Sequence, residues 1–515
     1  MAKAKTTKPQ DSKPMEQILF LTADKLRKNI DAAEYKSYVL GLLFLKYISD
    51  AFDVLHQKIL NKEGDYAYDD PEDKLVYSAE YVFFVPEKAR WNYIVTRAKL
   101  PTIGEEVDTA MDLIEKENPK IRGVLFKQFA QSKLDKVTLG ELIDLINNMD
   151  LGTEAAQRKD LFGVVYEYFL GQFALAEGRK GGQFYTPRSV VSLLIAMLEP
   201  KKGKVYDPCC GSGGMFVMSE KFVEQHQGRL DDITIYGQES NQTTWKLCVM
   251  NLAIRGIDPE QVKWNSEGSF LKDAHPDLKA DYIIANPPFN VSDWSGELLR
   301  QDGRWKYGIP PAGNANYAWL QHFLYHLAPK GKAGIVLSKG ALTTKSSGEY
   351  EIRKSMVDAG VIDCIVNLPA KLFLNTQIPA CLWFLNRDEN RLRKGEVLFI
   401  DARNLGHLVN RRTREFDDTD LDTISETYHH WLNSRDEYED IPGFCKSSPI
   451  YEIATMDYVL TPGRYIGLPD DEDDFNFAET MSNLQVELER QMEEEQILNE
   501  RIKVNLSKLM EVGNE

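Results

Sequence analysis

The chain has 515 residues, 43% hydrophobic and 27% charged, which excludes a disordered or fibrous polypeptide and gives room for about three domains. Its formal net charge is −17, from 79 acidic against 62 basic residues. That balance argues against a protein that grips duplex DNA unaided, because phosphate contacts supply most such affinity.

Residues 1–14 are polar, with Lys3, Lys5, Lys8 and Lys13 and no apolar signal core, so a disordered tail is expected. Residues 15–155 read as a helical domain. Leu19, Leu26, Tyr35, Tyr38, Val39, Leu42, Leu43 and Leu45 recur near helical spacing, and Asp160 is the expected N-cap of a further helix over 161–170. The longest apolar run, 38–48, is broken by Lys46 and is too short to span a bilayer. The six cysteines (Cys209, Cys210, Cys248, Cys364, Cys381, Cys445) lack metal-ligand spacing, so reduced thiols in a cytoplasm and no metal site are expected.

Residues 156–468 alternate strand and helix patterns, the signature of an open, doubly wound α/β sheet. The first strand runs into Asp207-Pro208-Cys209-Cys210-Gly211-Ser212-Gly213-Gly214 and then a helical pattern. Glycines there let the backbone approach a ligand, and the helix N-terminus offers it free N–H groups. The second strand ends in Glu239, where a carboxylate is the usual partner of ribose hydroxyls. Those features alone suit a dinucleotide as well as another nucleoside.

The run 281–285 ends abruptly in Asn286-Pro287-Pro288-Phe289. Two prolines cannot continue a strand, so a stiff loop is expected at the sheet's carboxyl edge. Asn286 Oδ1 and the Pro287 carbonyl each accept one hydrogen of an NH2, Pro288 stiffens the turn, and Phe289 stacks on a heterocycle. That set suits methyl transfer to an exocyclic amine and has no use in a nicotinamide dehydrogenase. Residues 332–338, 361–369 and 379–385 read as further strands. The Gly-, Pro- and aromatic-rich stretch 302–319 reads either as a lid placing Trp305 or Tyr317 near a base, or as a loop pinned by its aromatics. Lys330, Lys332, Arg411 and Arg412 are local basic clusters with a possible role at DNA. Residues 469–515 read as an acidic linker and a long helix whose narrow stripe, Leu484, Leu488, Met492, Ile502, Leu506 and Leu509, needs a partner.

Together, Asp207 to Gly214 and Asn286 to Phe289 resemble the S-adenosylmethionine-dependent DNA adenine-N6 methyltransferases. Gly181-Gly182-Gln183-Phe184-Tyr185-Thr186-Pro187-Arg188, Ala23-Asp24-Lys25-Leu26-Arg27 and residues 44–50 are similar to the modification subunit of type I restriction-modification systems. The resemblance covers roughly residues 17–387 and implies a Rossmann-like, mixed methyltransferase sheet with a reversed hairpin near its end. It implies that Gln183, Phe184, Tyr185, Thr186, Pro187 and Arg188 wrap the cofactor's methionine end. Gly211, Ser212, Gly213 and Gly214 would lie along it, with Asp207 ordering the loop and meeting the ammonium, and Glu239 on the ribose. It further implies a specificity subunit docked on the C-terminal helix, a second copy of this chain, double-stranded DNA, and room for a restriction subunit. The family often has an Asp after the third strand for the cofactor's adenine; here the stretch reads Asn265-Ser266-Glu267-Gly268-Ser269-Phe270, with Asp273 only later, so that contact stays open. A protein-glutamine N5 methyltransferase and a non-catalytic, cofactor-sensing assembly subunit are the alternatives.

Overall fold

The computed structural model describes residues 14–28, 30–149, 155–177, 186–229, 232–346, 348–373, 379–410 and 413–468, and near the C-terminus 481, 485, 488–493 and 495–502; the side chains of 155–160 and 174–177 are excepted. Gln183, Phe184, Tyr185, Arg411, Arg412, the tail 1–13 and the acidic stretch 469–480 lie outside the described residues.

Capping aspartates set two of the N-terminal helices. Asp31 accepts from the Ala33 N–H at 2.9 Å to start Ala32–Leu60, and Asp135 accepts from Thr138 N–H at 2.9 Å to start Lys136–Asn147. The helix Ala155–Glu177 starts earlier than expected, so Asp160 lies inside it and is not its N-cap. Good helix formers at 155–158 extend the pattern upstream. Phe20 meets Phe169 and Phe173 edge-on, at 5.1 and 5.3 Å. The apolar core of this region continues into Leu247, Met250 and Ile254 of the helix Gln242–Ile254. Tyr47 seals that junction, packing 5.1 Å from Phe162 and donating to the Ile254 carbonyl at 2.5 Å.

The strands are β1 (Gly203–Asp207), β2 (Ile233–Glu239), β3 (Val262–Trp264), β4 (Ala280–Ala285), β5 (Leu327–Ser338), β6 (Ile362–Asn367), β7 (Ala380–Asn386), β8 (Glu396–Asp401), β9 (His407–Leu408), β10 (Arg414–Glu415) and β11 (Cys445–Pro449). Nine of them form one sheet in the order β11-β8-β6-β7-β5-β4-β1-β2-β3, and β9 pairs with β10 apart from it. β3, β2, β1, β4 and β5 run parallel; β7 is antiparallel to both β5 and β6, which is the expected reversed hairpin. Every residue of β6 and β7 is buried, as a strand covered on both faces requires. β3 and the outer strands β8 and β11 were not expected: β3 has three residues, and β11 is the polar run Cys-Lys-Ser-Ser-Pro, an edge strand that its proline ends.

The chain leaves β1 toward β2 and β3, then returns to place β4 on β1's other side. The carboxyl ends of β1 and β4 therefore flank the point where strand order reverses, the usual ligand crevice of such sheets. Asp207 ends β1 and Asn286 follows β4, so topology alone makes them neighbours.

Residues 468–515 form a second compact unit. Its described residues 488–493 and 495–502 are helical, and Leu488, Met492, Ile497, Leu498 and Ile502 are each more than half exposed. None of the described helices is long and apolar enough to cross a membrane.

Candidate active site

Asp207 is buried, and its Oδ1 accepts from the Cys209 N–H at 2.9 Å, which turns the chain out of β1. Burial pushes its carboxyl up to about 7. Gly211 (φ +53°) and Gly213 (φ +80°) carry the loop through left-handed backbone, and a Cβ on Gly213 would stand 2.8 Å from Cys248 Sγ. The end of β2 fastens this loop: Glu239 Oε2 accepts from the Gly211 N–H at 3.0 Å, and Oε1 accepts from the Asn241 N–H at 2.8 Å. Burial raises the Glu239 carboxyl as well.

A second support comes from the helix Ala155–Glu177. Arg255 Nη2 donates to the Gly163 carbonyl at 3.1 Å and pairs with Glu167 at 2.9 Å, while Nη1 bonds Asn251 Oδ1. Asn251 Nδ2 in turn donates to the Ser212 carbonyl at 2.8 Å. The glycine loop is thus tied to a helix far upstream in sequence.

Asn286 Nδ2 donates to Thr186 Oγ1 at 2.9 Å. Its Oδ1 is buried and, among the described residues, has no hydrogen-bond partner. A buried acceptor left unsatisfied costs about 1–3 kcal/mol, so this atom is poised for a donor brought by a ligand. Two cavities meet at Asn286. The larger, about 460 Å³, is lined by Gly211, Glu239, residues 266–270, Pro288, Trp294 and Trp319. The smaller, about 80 Å³, is lined by Asp207, Gly211, Ser212, Gly214, Glu167, Thr186 and Arg188. One end therefore offers carboxylates and a guanidinium, and the other a carboxylate and the rings of Phe270, Trp294 and Trp319. Pro187 is the N-cap residue of the helix Arg188–Leu198, and Pro287 is buried and, unlike Asn286, lines neither cavity.

Several expected side chains lie elsewhere. Phe289 is buried with its ring edge-on to Phe373, at 6.5 Å. The lid reading of Trp305 and Tyr317 does not hold. Tyr317 is fully buried and donates to the Ala341 carbonyl at 2.7 Å, and Trp305 donates to the Leu299 carbonyl at 2.6 Å. Both pin the loop into the core beneath the sheet edge. Lys332 pairs in register with Tyr282, toward the strands' amino ends, so the Lys330–Lys332 cluster does not flank the cavity.

Ser269 and Phe270, from the stretch left open for the cofactor's adenine, line the larger cavity. Trp294, Trp319 and Glu167 were missed by sequence reasoning, since no local pattern marks an aromatic or a carboxylate that arrives through tertiary packing. Asp273 turns away from the cavity. Burial works to raise its carboxyl, yet the bond from His326 Nε2 at 2.8 Å and nearby histidines hold it at about 2. Asp273, His322 and His326 bring ligand-type atoms within 4.8 Å of one another. Hydrogen bonds already engage them: His326 Nδ1 meets the Leu278 carbonyl at 3.1 Å, and His322 Nδ1 accepts from Arg304 at 3.1 Å. Arg304 also donates to the Ser269 and Phe270 carbonyls at 3.2 and 2.6 Å, fixing the cavity wall.

Residues 157–474 match the N-6 DNA Methylase family, and residues 15–146 match the HsdM N-terminal domain. The chain is 46% identical over 445 residues to the type I restriction enzyme HindI methylase subunit of Haemophilus influenzae, covering 82% of this chain and 99% of that protein. It is 37% identical to the MjaIX methylase subunit of Methanocaldococcus jannaschii, over 96% of this chain and 91% of that one. The crystal structure of a type I restriction-modification methyltransferase subunit from Streptococcus thermophilus superposes with a TM-score of 0.74 at 26% identity, covering 88% of this chain and 99% of that one. The chain belongs to the N-6 DNA methylase family and, within it, to the adenine-specific methylase subunits of type I restriction enzymes.

Proposed function

We propose that the double cavity holds S-adenosylmethionine and that Asn286 presents the N6 amine of an adenine to it. The observation that carries this reading is the buried Asn286 Oδ1, without a partner among the described residues, at the junction of the two cavities. The residues fit the group: Asp207 and Glu167 suit its ammonium, Arg188 its carboxylate, Glu239 its ribose, and Phe270 with Ser269 its adenine side. When bound, the cofactor supplies an electrophilic methyl on a sulfonium.

Asn286 Oδ1 accepts one hydrogen of adenine N6, and the Pro287 carbonyl accepts the other. Taking both draws the nitrogen from planar toward tetrahedral and frees its lone pair for in-line attack. Because N6 is buried in a duplex, the nucleotide is first extruded, at a cost of a few kcal/mol of unstacking. Trp294 and Trp319 line the larger cavity with Asn286. Stacking by Phe289 requires its ring to leave Phe373. Positioning of this kind carries much of the acceleration.

The exposed cations Lys371 and Arg403 follow β6 and β8 at the edge that bears Asn286, and we place DNA phosphates there. An acidic chain needs help in holding DNA. The exposed apolar positions of residues 488–502 suit a helix of a specificity subunit, with a second copy of this chain and a restriction subunit completing a cytoplasmic complex. The protein-glutamine and non-catalytic alternatives are not favoured, given the family match across 157–474.

The test is transfer of labelled methyl from S-adenosylmethionine to unmethylated genomic DNA, by the chain alone and with its specificity subunit. N6-methyladenine from the pair and not from the chain alone is expected. Absence of transfer in both, with cofactor bound, contradicts the reading.

A further inference from the structure

Two asparagines facing one another close the turn after the Asn-Pro-Pro-Phe loop. Asn290 has φ of +55°, a left-handed conformation that asparagine adopts more readily than most residues. Its N–H donates to Asn316 Oδ1 at 3.0 Å, and Asn316 Nδ2 donates back to Asn290 Oδ1 at 2.9 Å. A backbone N–H can only donate, so the orientation of the Asn316 amide is fixed by chemistry. Beside this pair the Ala315 N–H donates to the Val291 carbonyl at 2.9 Å, and Ser338 Oγ at the end of β5 reaches Asn290 Oδ1 at 3.4 Å. Asn316 is 2% exposed, whereas Asn290 is exposed. Among the described residues, the Asn290 side chain works only as an acceptor, while Asn316 uses both ends of its amide.

We infer that Asn316 is a positioning residue for methyl transfer, which rests on the functional reading above. It locks the left-handed turn at Asn290, and through that turn the directions of Asn286 Oδ1 and the Pro287 carbonyl. The stretch 302–319 thus ends in a static brace for the catalytic loop.

The roles of the two amides differ, so substitutions at the two sites separate them. Asn290→Asp keeps both bonds, because a carboxylate still accepts from Nδ2 and its charge faces solvent. Asn316→Leu is close in size but removes both bonds, and it offers no polar atom to which a turned-over Asn290 amide can bond. Both variants are assayed in the complex with the specificity subunit, reading kcat, KM for DNA and cofactor Kd. Asn316→Leu should lower kcat on the order of tenfold or more, with cofactor Kd within about twofold of the unsubstituted protein. Asn290→Asp should stay within about twofold on kcat.

Unchanged kcat in Asn316→Leu, or equal losses in both variants, overturns the inference. Where Asn316→Leu fails to fold, Asn290→Ala removes one of the two bonds from the exposed side; it should lower kcat by about fivefold, and unchanged kcat there overturns the inference too. No transfer by the unsubstituted complex overturns the functional reading first and this inference with it.

Discussion

Thr186 Oγ1 accepts from Asn286 Nδ2 at 2.9 Å, the arrangement in which the amide keeps its oxygen for the cavity. With Nδ2 engaged, Oδ1 is the atom left for a ligand, and it has no partner among the described residues. An amide turned the other way would present a donor to an amine and repel it.

Removing that acceptor should therefore harm turnover more than binding. Thr186→Val is expected to lower kcat by about fivefold, the worth of one hydrogen bond of roughly 1 kcal/mol in orientation. Thr186→Ser should retain most activity. Steady-state methyl transfer with cofactor titration separates the two effects.

Asp207 gives a dependence on pH. Between its ordinary value of 3.8 and about 7, the folded chain keeps a proton that the unfolded chain has lost. This group's contribution to stability therefore falls as pH rises through that window and is level above it. Cofactor binding runs the opposite way, because an ammonium favours the carboxylate. Affinity should weaken by up to about tenfold per pH unit below 7, and binding near pH 7 should release protons. Calorimetric titrations in buffers of different ionisation heat measure this, and Asp207→Asn should flatten the slope.

The strand ends at Asp207 and Asn286 were legible in the sequence because glycines and prolines punctuate them, and parallel strands put successive carboxyl ends on one edge. Glu167 was not legible: it reaches the cavity only because Tyr47 and Phe162 pack the helix Ala155–Glu177 onto the helix Gln242–Ile254. Trp305 and Tyr317 show the same limit from the other side. Composition marked them as belonging to an unusual loop, but only packing decides that they face the core while Trp294 and Trp319 face the cavity.

Arg255 touches no part of the larger or smaller cavity yet braces both Glu167 and, through Asn251, the Ser212 carbonyl. Arg255→Ala should raise the cofactor Kd several-fold, by about 1–2 kcal/mol, while kcat at saturating cofactor changes little. Fluorescence or calorimetric titration alongside saturating kinetics checks the split.

Gly213→Ala meets two obstacles at once. Its φ of +80° costs a side chain about 1–2 kcal/mol, and the new Cβ stands 2.8 Å from Cys248 Sγ. Adding Cys248→Ala should recover the steric part and leave the conformational part. Thermal denaturation of the single and double variants reads that partial recovery.

The most direct measurement is methyl transfer by the complex carrying Asn286→Ala, with cofactor binding followed in the same sample. N6-methyladenine formation should fall by at least about a hundredfold, the usual cost of losing a preorganised partner for the reacting group, while cofactor Kd stays within several-fold. Transfer within a few-fold of the unsubstituted complex would contradict the assignment of Asn286 as the residue that holds the amine.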